Sequence, residues 1–464
     1  MIIDKNVLSV IRSRMQRRGL RDYDIEFFLK AWQSMDTAVP PIAWERLKPL
    51  GSSDVLALPD DRTETARLEE VGRTHIHQCA IVKLNGGRST TMGGLVPKCM
   101  VTAKNGKSFL DIVMGQVMAA NDYYNIEMPL ILMNSFFTDH VTEKIVGRTP
   151  LIILNFIQNE YPRIRKDTFL PLDTGTDDDW CPAGHGDFYT GIAGSGMLDN
   201  LLELGLRYVF ISNIDNLSAE ISPAILGRMV EGGHDFLMEV TRKTQDDVKG
   251  GAPVFDDGRL SLLEIGQVPA EHHQDFQDIE TFQYFNTNNL WVDLLAVKEM
   301  IHHDQLRLPI ILNHKRCAET DIIQIETAMG AGLECFSRPG LIEVSRDRFA
   351  PVKKLSDLFL LQSDVYSLNE RMQLTLNTER PKQLPRLPRI TFHSGFPSGN
   401  QLEGGFADPA CISLLHTESL TVGGKVVFAG EQQIRGVVRV ENGSQQLLTV
   451  TSENIGCFQQ ETAT

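Results

Sequence analysis

Short, unbroken apolar runs recur through the middle of the chain, each followed by polar residues. HQCAIVKL (77–84), MPLILMNS (128–135), LIILNFIQN (151–159) and RYVFISNID (207–215) have this form. Continuous rather than alternating apolar character predicts strands buried on both faces. Between them, SFLDIVMGQVMAAND (108–122) and TDHVTEKIV (138–146) read as helices. Apolar strands separated by helices make an α/β fold with a mainly parallel sheet covered on both faces, and ligands of such sheets sit beyond the carboxyl ends of the strands. The polar residues Gln158 and Asp215 fall at two of those ends.

The two ends of the chain are patterned differently. Val7, Leu8, Ile11 and Met15 recur at helical spacing, so residues 1 to about 75 are expected to be mostly helical, with a proline-rich break at VPPIAWERLKP (39–49). RPKQLPRLPRITFHSGFPSG (380–399) reads as a linker. Beyond it apolar and polar residues alternate between turn glycines, placing Leu420 and Val422, Val426 and Phe428, and Val438 and Val440 on one side of short strands. The expected organisation is a helical segment over 1–75, an α/β domain over 76–380, and a linker with a small β domain over 381–464.

Composition narrows the class. In a chain of 464 residues, 42% hydrophobic and 23% charged residues are the profile of a folded soluble protein with more than one domain. A formal net charge of -15 argues against nucleic acid or an anionic membrane as partner, because such surfaces demand dense basic patches. A few lysines in a cleft could still hold small phosphorylated substrates. The seven cysteines include no C-x-x-C pair and imply neither a disulfide framework nor a zinc ribbon. No apolar run approaches the ~20 residues of a membrane span, and the N-terminus lacks a secretory apolar core. A cytoplasmic protein is expected. GTDDDW (175–180) reads as a solvated acidic loop, and the paired histidines at 272–273 and 302–303 are too isolated for metal sites.

The stretch KLNGGRSTTMGGLVPK (83–98) changes the picture, since glycines after a strand let several backbone N–H groups converge on an anion. It fits neither G-x-x-x-x-G-K-[ST] nor G-x-G-x-x-G. The same order of segments continues with LMNSF, WCPAGHGDFY, FISNIDNLSA, MEVTRKTQDDVKGG, LLEIGQVP, FNTNNLW, IQIETAMGAG and FAPVKKLSDL, ending at residue 358. Together these segments resemble the eukaryotic-type UTP–glucose-1-phosphate uridylyltransferases, or UDP-glucose pyrophosphorylases, over roughly residues 25–450. That resemblance implies a Rossmann-like nucleotidyltransferase domain of GT-A-like form, with a mixed sheet and helices on both faces, and a C-terminal β-helix. It implies a reaction of UTP with α-D-glucose 1-phosphate that gives UDP-glucose and pyrophosphate with Mg²⁺.

Site residues carry over from the matching motifs. Leu84, Asn85, Gly86 and Gly87 fit the nucleotide loop, and Gln158 offers both a donor and an acceptor to the edge of uracil. Gly184 and His185 resemble the pair near the base and the sugar phosphate. Asp215 would anchor Mg²⁺ and the nucleotide, flanked by the substrate contacts Asn213 and Ile214. Glu264, Asn286 and Asn288 supply the mixed donors and acceptors that a hexose needs. Lys98 and Lys353 resemble the two catalytic lysines. The sugar phosphate is already anionic, so no general base is required, and the lysines act by positioning and charge stabilisation.

The loop departs from the family's LNGGLGTSMGxxGPK at Arg88, Ser89 and Val96, which adds a cation and removes two glycines. The same chemistry on another sugar phosphate or base is the main alternative; an inert nucleotide-sugar-binding protein is the other. The C-terminal β domain is the candidate surface for self-association. It is shorter than in family members that assemble through that region, so no oligomeric state carries over.

Overall fold

Eight strands form the main sheet: β1 (Leu56–Ala57), β2 (Cys79–Asn85), β3 (Leu130–Asn134), β4 (Ile153–Ile157), β5 (Tyr208–Asn213), β6 (Phe236–Arg242), β7 (Tyr284–Asp293) and β8 (Pro339–Glu343). They were located in a computed structural model that describes residues 5–35, 42–88, 96–145, 147–397 and 402–460. Their spatial order is β1-β8-β6-β7-β5-β2-β3-β4. Seven run parallel, and β7 is antiparallel to both of its neighbours, β5 and β6. The apolar runs became strands as expected: every residue of β2 and β3 is buried. Val82, Ile131, Val209, Ile211, Met238 and Leu290 join Phe188 and Tyr189 in one core cluster. The sheet therefore places the ends of β2, β3 and β4 side by side.

The chain divides into two compact units. The first comprises 1–86, 124–213 and 221–348, and holds the whole main sheet. The second comprises 87–123, 214–220 and 349–464. Its C-terminal part stacks three parallel strands, Arg389–Phe392, Ile412–Gly424 and Gln432–Asn442. Their apolar residues align across the strands, Ile390 with Leu420 and Val438, and Phe392 with Val422 and Val440. Leu420, Val422, Val426, Phe428, Val438 and Val440 are all buried, as the alternation predicts. No helix among the described residues is long and apolar enough to cross a membrane.

Three local expectations are corrected. The segment read as a linker is built into the C-terminal strands: residues 389–392 pair with 419–422, and the Arg380 guanidinium donates to the carbonyls of Pro385, Arg386, Leu414, Leu415 and Thr417. The acidic loop is not wholly solvated, because Asp179 is buried and accepts from Thr174 N–H and Oγ1, Gly175 N–H and Arg14. The helix expected over 138–146 shrinks to Asp139–Thr142. Asp139 Oδ1 and Thr142 Oγ1 there accept from the side chain of Asn134, which ties the turn to the end of β3.

Candidate functional site

In the first unit, a polar cluster occupies the carboxyl ends of three adjacent strands. Asn85 ends β2 opposite Asn134 of β3, and its Nδ2 donates to Asn134 Oδ1 at 2.8 Å. Gln158 follows β4, its backbone N–H donating to the Asn134 carbonyl at 2.9 Å. The Ser135 hydroxyl holds the Gly86 carbonyl at 2.8 Å. A methyl group at position 86 would strike the amide nitrogen of Gln158, so glycine here makes room for that side chain. Asn85 Oδ1 and Gln158 Oε1 are buried with no hydrogen-bond partner among the described residues. Buried acceptors left unspent are uncommon and mark a place where a donor from outside can bind. Leu84 is buried in the core cluster and is paired on both sides, with Met133 and Asn213.

A second polar set in the same unit forms around β7. Its register with β6 shifts between Glu239 and Val240, opposite Asn289 and Asn286, which leaves Thr287 and Asn288 as an irregularity in the ladder. Asn288 takes φ 60° there, and bulges of this kind re-aim side chains beside sites. Its Nδ2 donates to Asn213 Oδ1 at 3.0 Å, its N–H donates to Asn286 Oδ1 at 2.8 Å, and its Oδ1 is buried without a partner among the described residues. Asn286 N–H in turn donates to the Gly251 carbonyl at 2.9 Å. A methyl at position 251 would lie 2.5 Å from Glu264 Oε1, so that carboxylate rests against bare backbone. Asn213, Glu264, Asn286 and Asn288 are thus brought into one linked group.

His185 follows Gly184, whose φ is 91°. The Met329 N–H donates to His185 Nδ1 at 3.0 Å, and burial pushes the ring's pKa down to about 4. The imidazole is therefore neutral near pH 7, and the Met329 N–H on Nδ1 leaves its proton on Nε2. Two residues on, Asp187 is a buried carboxyl that sequence reasoning missed within the quoted PAGHGD. Burial pushes its pKa up to about 6, against donors at Asn159 N–H (2.6 Å), Asn159 Nδ2 (2.8 Å) and Thr190 Oγ1 (2.6 Å).

The second unit holds Lys98, Asp215 and Lys353. Lys98 opens a short turn after Pro97, and its N–H donates to the Gly87 carbonyl at 3.2 Å. Its Nζ lies 2.5 Å from Oδ2 of Asp215, which is 5% exposed. Arg88 and Pro97 form an antiparallel bridge, while Ser89 and Thr90 lie outside the described residues. Ile214 is buried. The Asp215 carbonyl accepts from Val352 N–H at 3.3 Å, one residue before Lys353, whose side chain is exposed. Asn134 and Asn216 sat in quoted motifs, yet their roles depend on partners distant in sequence.

Comparison with known proteins adds an independent line. A model of the UTP–glucose-1-phosphate uridylyltransferase family matches residues 25–435. The uridylyltransferase of Solanum tuberosum is 38% identical over 417 residues, 88% of this chain and 83% of that protein. That of Hordeum vulgare is 41% identical over 372 residues, 79% of this chain and 77% of that protein. Among solved structures, a UDP-glucose phosphorylase of Trypanosoma brucei has a TM-score of 0.84 at 33% identity, covering 96% of this chain and 97% of that one. A Leishmania major UDP-glucose pyrophosphorylase variant, crystallised with UDP-glucose, has a TM-score of 0.82 at 30% identity, covering 96% of each chain.

Proposed function

Because the chain belongs to the UTP–glucose-1-phosphate uridylyltransferase family, we propose a mechanism in which its own residues position two phosphorylated substrates and absorb the charge that moves between them. The enzyme makes UDP-glucose and pyrophosphate from UTP and glucose 1-phosphate. An oxygen of the sugar phosphate attacks the α-phosphorus in line, the bond to the β-phosphate bridging oxygen breaks, and pyrophosphate leaves with the electron pair. The attacking oxygen is already anionic, so no proton has to be removed. His185 fits this scheme as a neutral donor, since its Nδ1 is occupied by Met329.

Gln158 is assigned to the base. Its Oε1 would accept from uracil N3–H, and its Nε2 would donate to O4. The observation that carries this assignment is the buried, unspent Oε1 of a side chain seated against Gly86. The backbone of Leu84, Asn85, Gly86 and Gly87 and the turn at Gly184 are assigned to the nucleotide. Asn213, Ile214, Glu264, Asn286 and Asn288 are assigned to the sugar phosphate. Lys98 and Lys353 are assigned to the phosphates, where charge develops as pyrophosphate departs.

Mg²⁺ is the cofactor assigned to Asp215. No group of three or more His, Cys, Asp or Glu side chains suited to a metal occurs among the described residues. A single carboxylate suits Mg²⁺, which takes one or two protein oxygens and completes its shell with phosphates and water. When bound, Mg²⁺ neutralises phosphate charge. We read the main sheet as a GT-A-like Rossmann arrangement and the in-register C-terminal strands as turns of a β-helix. We place the reaction in the cytoplasm.

The assignment is tested by measuring pyrophosphate release across a matrix of nucleoside triphosphates and sugar 1-phosphates. UTP with glucose 1-phosphate should be the preferred pair. Preference for another pair would reassign the specificity, and no release with any pair would leave only a binding protein. In the same assay, Gln158→Ala should reduce discrimination between UTP and CTP by about tenfold, the worth of a buried polar contact of ~1.4 kcal/mol. Gly86→Ala should shift it in the same direction by displacing the amide. Unchanged base preference in both variants would move the uracil site elsewhere.

A further inference from the structure

We propose that Asn216 is a positioning residue for the reaction: together with Asp357 it fixes the stretch of backbone that presents Lys353. The proposal rests on the assignment of Lys353 to phosphate. Asn216 is 1% exposed, and its Oδ1 accepts from Ala350 N–H at 3.0 Å. Asn216 also forms an antiparallel bridge with Pro351, and the neighbouring Asp215 carbonyl accepts from Val352 N–H. Three successive residues before Lys353 are thereby tied to two residues of a segment that lies 134 positions earlier. On the other side, one carboxylate oxygen of Asp357 accepts from Lys353 N–H and Lys354 N–H, both at 2.8 Å. Asp357 belongs to the first turn of the helix Leu355–Gln362, so this anchor is itself held by regular structure.

The physical need is plain. A lysine side chain is a flexible stem, and an exposed one gains reach but not aim. Aim has to come from its Cα, and Lys353 has its backbone secured on both sides while its side chain is exposed. Because Asn216 adjoins Asp215, the same clamp sets the spacing between the carboxylate and the backbone of Lys353. Pro351 has no N–H to give, so the side chain of Asn216 takes the donor one residue earlier.

The test is a pair of double-mutant cycles. Asn216→Ala and Asp357→Ala are each made in the native enzyme and in Lys353→Ala, and kcat and KM for UTP are measured. In the native background each should lower kcat by about tenfold to a hundredfold, as expected of a misplaced catalytic group, with KM changed less than about threefold. In Lys353→Ala neither should cost anything further, because the group they aim is gone. Losses that simply add in both backgrounds would overturn the proposal and leave the two residues as ordinary structural supports. If Asn216→Ala does not fold, the Asp357→Ala cycle decides alone. A Lys353→Ala enzyme with native kcat would instead overturn the phosphate role of Lys353, and the proposal with it, and the single variant reveals this.

Discussion

Asp215→Ala should lower kcat by at least about 10³-fold while the protein stays folded, the largest effect expected of any single substitution here. The carboxylate is the one assigned to Mg²⁺, and it also neutralises Lys98 at 2.5 Å. Its loss would remove the metal's protein anchor and leave the lysine without its counter-charge. The second effect bears on stability. Breaking a fully buried pair costs several kcal/mol, but the Lys98 side chain keeps 16% of its exposure, so water can take over part of the lost contact. Asp215→Asn separates the two effects. It keeps the shape and a hydrogen-bond acceptor for Lys98 but binds Mg²⁺ poorly. Both variants should melt cooperatively near the native temperature and release pyrophosphate slowly even at saturating UTP. Near-native activity of Asp215→Ala at limiting Mg²⁺ would remove the metal assignment.

Lys98→Met should lower kcat by about 10²- to 10³-fold and raise KM for UTP much less. Methionine keeps most of the apolar stem and removes only the charge. If the ammonium acts where charge grows during departure of pyrophosphate, its loss falls on kcat rather than on ground-state binding. Lys98→Arg should recover only part of the rate, since a planar fork cannot reproduce the position of a compact ammonium beside Asp215. A rise in KM at unchanged kcat would show that Lys98 merely holds the triphosphate.

The residues that sequence revealed and those it hid differ in where their partners lie. β2, β3 and β5 were legible because a strand buried on both faces is apolar nearly throughout, and β4, at the sheet's edge, was legible from its apolar run. Lys98, Gln158 and Asp215 were picked out by their motifs, and Gln158 and Asp215 lie just beyond the ends of β4 and β5. β7 was not legible as a strand: FNTNN is polar, and at the centre of the sheet its asparagines are satisfied by one another and by Asn213 and Glu239. Asp179 looked solvated for a similar reason. One of its partners, Arg14, comes from 165 positions earlier in the chain. Asn134 and Asn216 were present in quoted motifs but pointed at nothing until distant segments were brought to them. Periodicity reports which side of an element is dry. It does not report which polar groups will meet.

The order of strands in the main sheet also governs how the protein can be made. The edge strand β1 pairs with β8, Leu56 beside Ile342, so one side of the sheet closes only after nearly three quarters of the chain has been synthesised. Until β8 arrives, β6 has no partner on that side, and six of its seven residues are buried in the finished protein. A nascent chain paused before Pro339 would present that strand as an unpaired edge open to any other extended chain. Folding from the N-terminus cannot protect it, because the strand that covers it is encoded last among the eight. Fragments that end before residue 339 are therefore expected to aggregate rather than persist as smaller soluble domains.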